Sequence, residues 1–267
     1  MKLTMLGTGH AVVTNYYNTC FILDDDGKLF LTDTGGGNML LSRLEKAGYS
    51  WRDIHEIFIS HKHTDHLLGV FWLIRMYLSG FGRGSLKEAV NIYAHEEVIS
   101  IIRQTALLLF GDKFAACTEN GLNLITVRDG EERIINGHRF TFFDIHADKD
   151  LQFGYCMDMG GGEKFTFCGD EPLKECCFGY GRDSRWLLHE AFCIVSPPGM
   201  PDLKKIGHSA VKDACRLAEE LKVQNLILYH TEDGDPGNRK KLYTEEGLRY
   251  YSGNLLVPED LETVVLD

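Results

Sequence analysis

Short apolar runs, closed off by Gly, Asp or Asn, recur along the whole chain. Runs of this length read as buried strands, and they predict strands at 2–6, 19–23, 29–33, 56–60, 90–94, 139–144, 151–157, 164–168, 186–190, 225–229 and 263–266. Between them the period changes. Apolar positions spaced i, i+3, i+4, i+7 predict helices at 38–47, 66–79, 97–110, 210–221 and near 239–250. The stripe at 210–221 is the clearest, with Ala210, Val211, Ala214, Cys215, Leu217, Ala218 and Leu221 on one face. Strand-rich stretches alternating with strand–helix units predict an α/β fold of two helix-covered sheets. The Gly-rich segment 80–89, "GFGRGSLKEA", predicts a flexible surface flap.

Composition adds limits. With 267 residues and no linker, repeat or low-complexity tract, the chain is expected to form a single domain, 1–267, carrying a helical insertion at about 71–118. The formal charge of −11 argues against a general affinity for polyanions. "MKLTMLGTGHAVV" lacks the apolar core of a signal peptide and no stretch is long enough to span a bilayer, so a cytoplasmic protein without membrane contact is expected. The eight cysteines are scattered without a C-x-x-C pair and are expected to be reduced thiols.

The chemistry concentrates in "ISHKHTDHLLG", residues 59–69. His61, His63, Asp65 and His66 fall within six positions, directly after an apolar strand. Residues two apart on an extended chain point the same way, so His61 and His63 are able to approach one ion together. Asp65 and His66 lie where the chain turns into a helix, aimed at a neighbouring point. Neutral imidazole and carboxylate are good ligands for zinc. Four residues do not complete two metal sites, and three further ligand-type residues end predicted strands: His146 in "FFDIHADKD", Asp170 in "FTFCGDEP" and His230 in "LILYHTED". In α/β folds, chemistry gathers at such strand ends.

H-x-H-x-D-H, with "LTDTGGG" upstream and His, Asp and His downstream, resembles the metallo-β-lactamase superfamily over nearly the whole chain. The resemblance implies a four-layer αβ/βα sandwich with a dinuclear site. By position, His61, His63 and His146 would hold the first metal, Asp65, His66 and His230 the second, and Asp170 would bridge them. Asp33 would orient ligands from behind. Two divalent cations about 3.5–4 Å apart acidify a shared water and clamp an anionic transition state. Zinc suits the nitrogen-rich first site, while the carboxylate-bearing second site accepts manganese or iron as well.

"LLHEAFC" at 187–193 and "GHSAVKDACRLAEEL" at 207–221 resemble the HEAT and HST motifs of tRNA 3′-processing ribonucleases (RNase Z) and related phosphodiesterases. That likeness makes His208 the proton donor to a leaving oxygen and Glu190 its orienting carboxylate, with Asp65 as a further catalytic residue. A helix N-terminus and a carboxylate are expected to balance the pKa of His208. RNase Z carries a long basic arm for tRNA between the third ligand and the bridging aspartate; here 24 residues separate His146 from Asp170. "GDE", "HEAF" and "HSA" also depart from GDT, HEAT and HST. A small or flexible phosphodiester is therefore expected rather than structured tRNA, with Tyr16, Tyr17 and Asn18 as candidate substrate contacts. The insertion at 71–118 would cover the site, pack against the core or form a dimer surface; the resemblance implies a homodimer. The alternative is a hydrolase of lactones, thioesters or β-lactams. A di-iron redox protein is disfavoured because His63 stands where those sites place Glu. A non-catalytic scaffold is disfavoured because all seven ligand positions are filled.

Overall fold

The computed structural model describes residues 1–194 and 203–267. They form two compact units, each built on one seven-stranded mixed sheet. The first unit comprises residues 1–7, 17–128 and 260–267. Its strands are β1 (Lys2–Gly7), β2 (Cys20–Asp25), β3 (Lys28–Thr32), β4 (Glu56–Phe58), β5 (Val90–Ala94), β6 (Leu122–Thr126) and, from the far end of the chain, β14 (Thr263–Val265). Strands β14, β1, β2 and β3 pair antiparallel, and β3 to β6 pair parallel. The register aligns Ile22, Leu31, Ile57 and Ile92 in one row across four strands. Helices α1 (Met39–Lys46), α2 (Thr64–Leu67), α3 (Gly69–Gly82), α4 (Glu96–Phe110) and α5 (Asp112–Glu119) join or follow the parallel strands. Leu40, Leu44, Val70, Ile74 and Ile102 from these helices share a buried core with that row.

The second unit comprises residues 8–16 and 129–259. Strands β7 (Glu132–Ile135), β8 (His138–Asp144), β9 (Phe153–Gly160) and β10 (Glu163–Phe167) form an antiparallel run. From β10 the sheet continues in parallel through β11 (Trp186–Glu190), β12 (Asn225–Tyr229) and β13 (Asn254–Leu256). Helices α6 (Phe178–Gly181), α7 (Val211–Glu220) and α8 (Arg239–Gly247) complete it. The expected stripe on α7 buries Val211, Ala214, Cys215 and Ala218 against Leu187, Leu226 and Leu228.

Every expected strand and helix is present to within a few residues. Five further elements, β6, β7, β13, α5 and α6, were not anticipated. Strand β13 is three residues long, and β7 ("ERII") has two apolar positions, so neither carries a readable period. The 80–89 flap needs correction. Helix α3 runs through Gly82, and the backbone N–H groups of Ser85 and Leu86 both reach Gly80 O, which buries the Leu86 side chain. The eight cysteines are free thiols, and no helix among the described residues is long and apolar enough to cross a membrane.

One glycine positions the histidine-rich loop. A Cβ on Gly69 would lie 2.0 Å from the carbonyl oxygen of Thr34, while the Gly69 N–H donates to Gly35 O at 2.9 Å. The start of α3 can touch the loop after β3 only because no side chain intervenes. Gly69→Ala should therefore lower the thermal unfolding midpoint, since overpacking against backbone costs about 1–3 kcal/mol or more. A scanning-calorimetry comparison checks this; equal midpoints would show that the loop yields freely.

Candidate metal centre

In the first unit, β4 delivers the chain to Ser60 and His61, and His63 remains extended (φ −61°, ψ 148°) as the residue before α2. Asp65 and His66 lie on that single turn of helix, both buried. The His61 ring centroid is 4.4 Å from that of His63 and 4.2 Å from that of His66. What fixes the rings is Asp33, fully buried just beyond β3. Its carboxylate accepts from Ser60 N at 2.8 Å, from Ser60 Oγ at 2.8 and 2.9 Å, and from His66 Nδ1 at 2.7 Å. Ser60 Oγ also lies 2.9 Å from His61 Nδ1. A carboxylate only accepts, so the Ser60 proton points to Asp33, and the hydroxyl oxygen accepts from His61 Nδ1–H. Both rings are thereby set with Nδ1 engaged and Nε2 as the nitrogen to offer an ion.

The donor set fits a metal. His66 Nε2 and Asp65 Oδ2 stand 3.3 Å apart. In the second unit, His230 Nε2 and Asp170 Oδ2 stand 3.4 Å apart. Adjacent ligand atoms on a tetrahedral ion with bonds near 2.0–2.1 Å are spaced by about 3.3 Å. Each pair therefore has the spacing of two ligands on one ion.

The second unit gathers its donors at the ends of parallel strands. Phe167 pairs with Leu188 and Glu190 with Tyr229, so Asp170, Glu190 and His230 emerge at one edge of the sheet. Asp33, His146 and His230 all have left-handed backbone, with φ of 56°, 55° and 56°. Such strain in non-glycine residues clusters at functional positions. His146 differs from the rest. It is exposed, its N–H donates to Asp144 Oδ1 at 2.7 Å, and its ring Nδ1 lies 3.6 Å from Asp144 Oδ2. It groups with Cys176 and Cys177 rather than with the other expected ligands.

Glu190 is fully buried, which excludes pairing with a surface lysine. Its Oε1 accepts from Ser209 N at 2.5 Å and its Oε2 from Phe192 N at 3.2 Å. His208 Nδ1 lies 3.6 Å from Oε2, beyond hydrogen-bond length, so Glu190 grips the backbone beside the histidine while facing its ring. Burial lifts the Glu190 carboxyl to about 7, opposed by His189, His230 and the Ser209 N–H. On its other edge, His208 Nε2 lies 3.2 Å from Lys149 Nζ. An ammonium only donates, so Nε2 accepts and the ring proton sits on Nδ1, toward Glu190. The expected balance at His208 is corrected accordingly. Helix α7 begins at Val211, so His208 lies outside its first turn. Burial, reinforced by Lys149, pushes its pKa down, against the pull of Asp170 and Glu171.

Tyr17 is a core residue: its hydroxyl donates to Thr34 O and Gly37 O, both at 3.0 Å, and burial raises its pKa. Tyr16 packs its ring on Arg239, 4.2 Å from the guanidinium carbon, and donates to Pro236 O. Asn18 sits half-buried against Gly36. Sequence reasoning missed Ser60, Lys149, His10 and Phe192. Phe192 stands where the HEAT motif has Thr. Its ring lies between two imidazoles, 4.4 Å from His10 and 4.8 Å from His208.

The model of the family described as Anti-Pycsar protein Apyc1 matches residues 1–248. Ribonuclease Z of Methanococcus maripaludis strain C5 is 38% identical over 285 aligned residues, spanning 86% of each chain. Ribonuclease Z of Pyrococcus abyssi is 25% identical over 317, covering 100% of this chain and 96% of the relative. Among solved structures, the metallo-β-lactamase fold protein YhfI from Bacillus subtilis superposes with a TM-score of 0.80 at 16% identity, covering 98% of both chains. Human tRNase Z, short form, superposes with 0.73 at 19% identity over the full length of both. The expected α/β architecture is thus the metallo-β-lactamase fold. The chain belongs to the Anti-Pycsar protein Apyc1 family, in the RNase Z and phosphodiesterase branch of the metallo-β-lactamase superfamily, and is a metallo-hydrolase.

Proposed function

We propose that this chain is a dinuclear-metal phosphodiesterase acting on a small or flexible phosphodiester, its two units working as one domain. In this proposal His61, His63 and His146 hold one ion, Asp65, His66 and His230 the other, and Asp170 lies between them. Zinc suits the imidazole-rich set, with manganese or iron an option beside the carboxylates. When bound, the ions would supply Lewis acidity and bring a water's pKa toward neutrality. In this proposal His146 joins the set from its exposed position just beyond β8. We extend the proposal to a cytoplasmic homodimer and to the anti-Pycsar role that the family's name carries.

The observation that supports a phosphodiester over a carboxyl derivative is the setting of His208. Its ring faces a buried carboxylate on one edge and an ammonium on the other. An alkoxide leaving group needs a proton; a thiolate does not. With Lys149 displaced from Nε2, the ring would take up a solvent proton there and become an imidazolium whose Nδ1–H faces Glu190. The Nε2 proton would then pass to the leaving oxygen and return the ring to its neutral Nδ1–H form. Lys149 would then face the negative charge of the phosphoryl oxygens. Between His146 and Asp170 the chain spends its residues on β9, β10 and short turns, which supports a small substrate over structured tRNA.

Two measurements test this. Bis(p-nitrophenyl) phosphate should be hydrolysed while nitrocefin and acyl thioesters are not; the reverse profile would overturn the proposal. His208→Ala should slow a dinucleoside monophosphate about 10²–10⁴-fold, the usual contribution of a general acid. It should barely affect bis(p-nitrophenyl) phosphate, because p-nitrophenolate leaves unaided. Equal losses on both substrates would make His208 merely structural. Elemental analysis of the purified protein should find about two divalent ions per chain. Chelation should abolish turnover, and Asp65→Asn should lower the metal content; full metal retention in that variant would remove Asp65 from the ligand set.

A further inference from the structure

The helical insertion holds a feature that the catalytic reading does not use. A cavity of about 1040 Å³ opens in the first unit between the C-terminal half of α3, the loop at 83–88 and the corner of α4 and α5. Small-molecule pockets run to about 300–1,000 Å³ and combine apolar walls with a few placed polar groups. Here Phe81, Leu86, Leu109, Phe110 and Cys117 supply apolar wall. None of the lining residues belongs to the candidate metal centre.

Charge decides what the cavity accepts. Arg75, Arg83, Lys87 and Lys113 line it, and no acidic side chain does. Some exposed cations elsewhere pair with carboxylates, as in Lys62 with Glu97, Lys174 with Asp148 and Arg249 with Glu246, while Lys46, Arg103 and Lys222 are exposed without an ion pair among the described residues. Among the described residues, none of the four lining cations has such a partner. All four are exposed, and four of them around one concavity, in a chain of net charge −11, make a local positive field that an anion would meet. Arg75 and Ser79 lie one turn apart on the α3 face that continues to Gly82. A Cβ at Gly82 would meet nothing within 4 Å, so the helix leaves open space there.

We propose that this cavity is a second ligand site, taking a small amphiphilic anion: an apolar body bearing a phosphate, sulfonate or carboxylate group. The apolar walls would receive the body, and the guanidinium and ammonium groups the head. A concave site with discrete charges fits one small molecule better than a flat partner surface. The proposal stands independently of the catalytic one, because the residues are separate.

The test is fluorescence titration of the full chain with 8-anilinonaphthalene-1-sulfonate, with competition by dodecyl phosphate below its micelle concentration. Saturable binding at one site per chain, displaced by dodecyl phosphate, is expected. Two variants attack different features: Arg75→Glu with Lys113→Glu reverses charge, and Gly82→Trp fills volume. Each should weaken binding about tenfold or more, while hydrolysis of bis(p-nitrophenyl) phosphate stays unchanged and shows that the chain is folded. Absence of saturable binding, or equal affinity in the charge-reversed variant, would overturn the proposal. So would cosedimentation with phosphatidylglycerol vesicles without binding of free dodecyl phosphate, which would make the face a membrane contact.

Discussion

Burying a carboxylate is costly unless its lone pairs are used, and in Asp33 they are. Its side chain, with no exposure to water, takes the Ser60 N–H, the Ser60 hydroxyl and His66 Nδ1–H. These partners join three separate parts of the sequence: the end of β3, the end of β4 and the turn α2. Through Ser60 the same carboxylate also sets His61. The geometry of the histidine-rich loop is therefore decided by a residue 28 positions before it. Glu190 repeats the device in the second unit, where a buried carboxylate holds the backbone N–H groups of Ser209 and Phe192 beside His208. In both units a desolvated acid acts on imidazoles without needing to be a ligand itself.

The two sheets also share a plan. Each has an antiparallel half and a parallel half, and most of the chemistry sits where the parallel strands end. Parallel neighbours all finish on the same side, so residues far apart in the chain arrive at one edge without long loops. This is why Asp33 and His61 come together in one unit, and Asp170, Glu190 and His230 in the other.

Much of this was legible in the sequence. Short apolar runs marked most of the strands, and the α7 stripe marked its helix. Ligand-type residues at strand ends pointed to His146, Asp170 and His230, and the family resemblance pointed to Asp33. What escaped was context that no local pattern encodes. Strand β13 is too short to show a period, and β6 presents half-exposed side chains. The burial of Tyr17 depends on the carbonyls of Thr34 and Gly37, 17 and 20 residues further along the chain. Phe192 was visible only as a departure from a motif; its role between His10 and His208 requires three distant segments to meet. Lys149 carries no local signal in the sequence; only folding brings it to His208.

The left-handed backbone at His146 and His230 has a cost that extends beyond this one molecule. Glycine would adopt that conformation without strain, and either histidine does so only because the surrounding fold compels it. Lineages selected for endurance alone would drift toward glycine at these two places and shed their donors on the way. Imidazole at these two places is thus held against the chain's own preference for a more relaxed backbone.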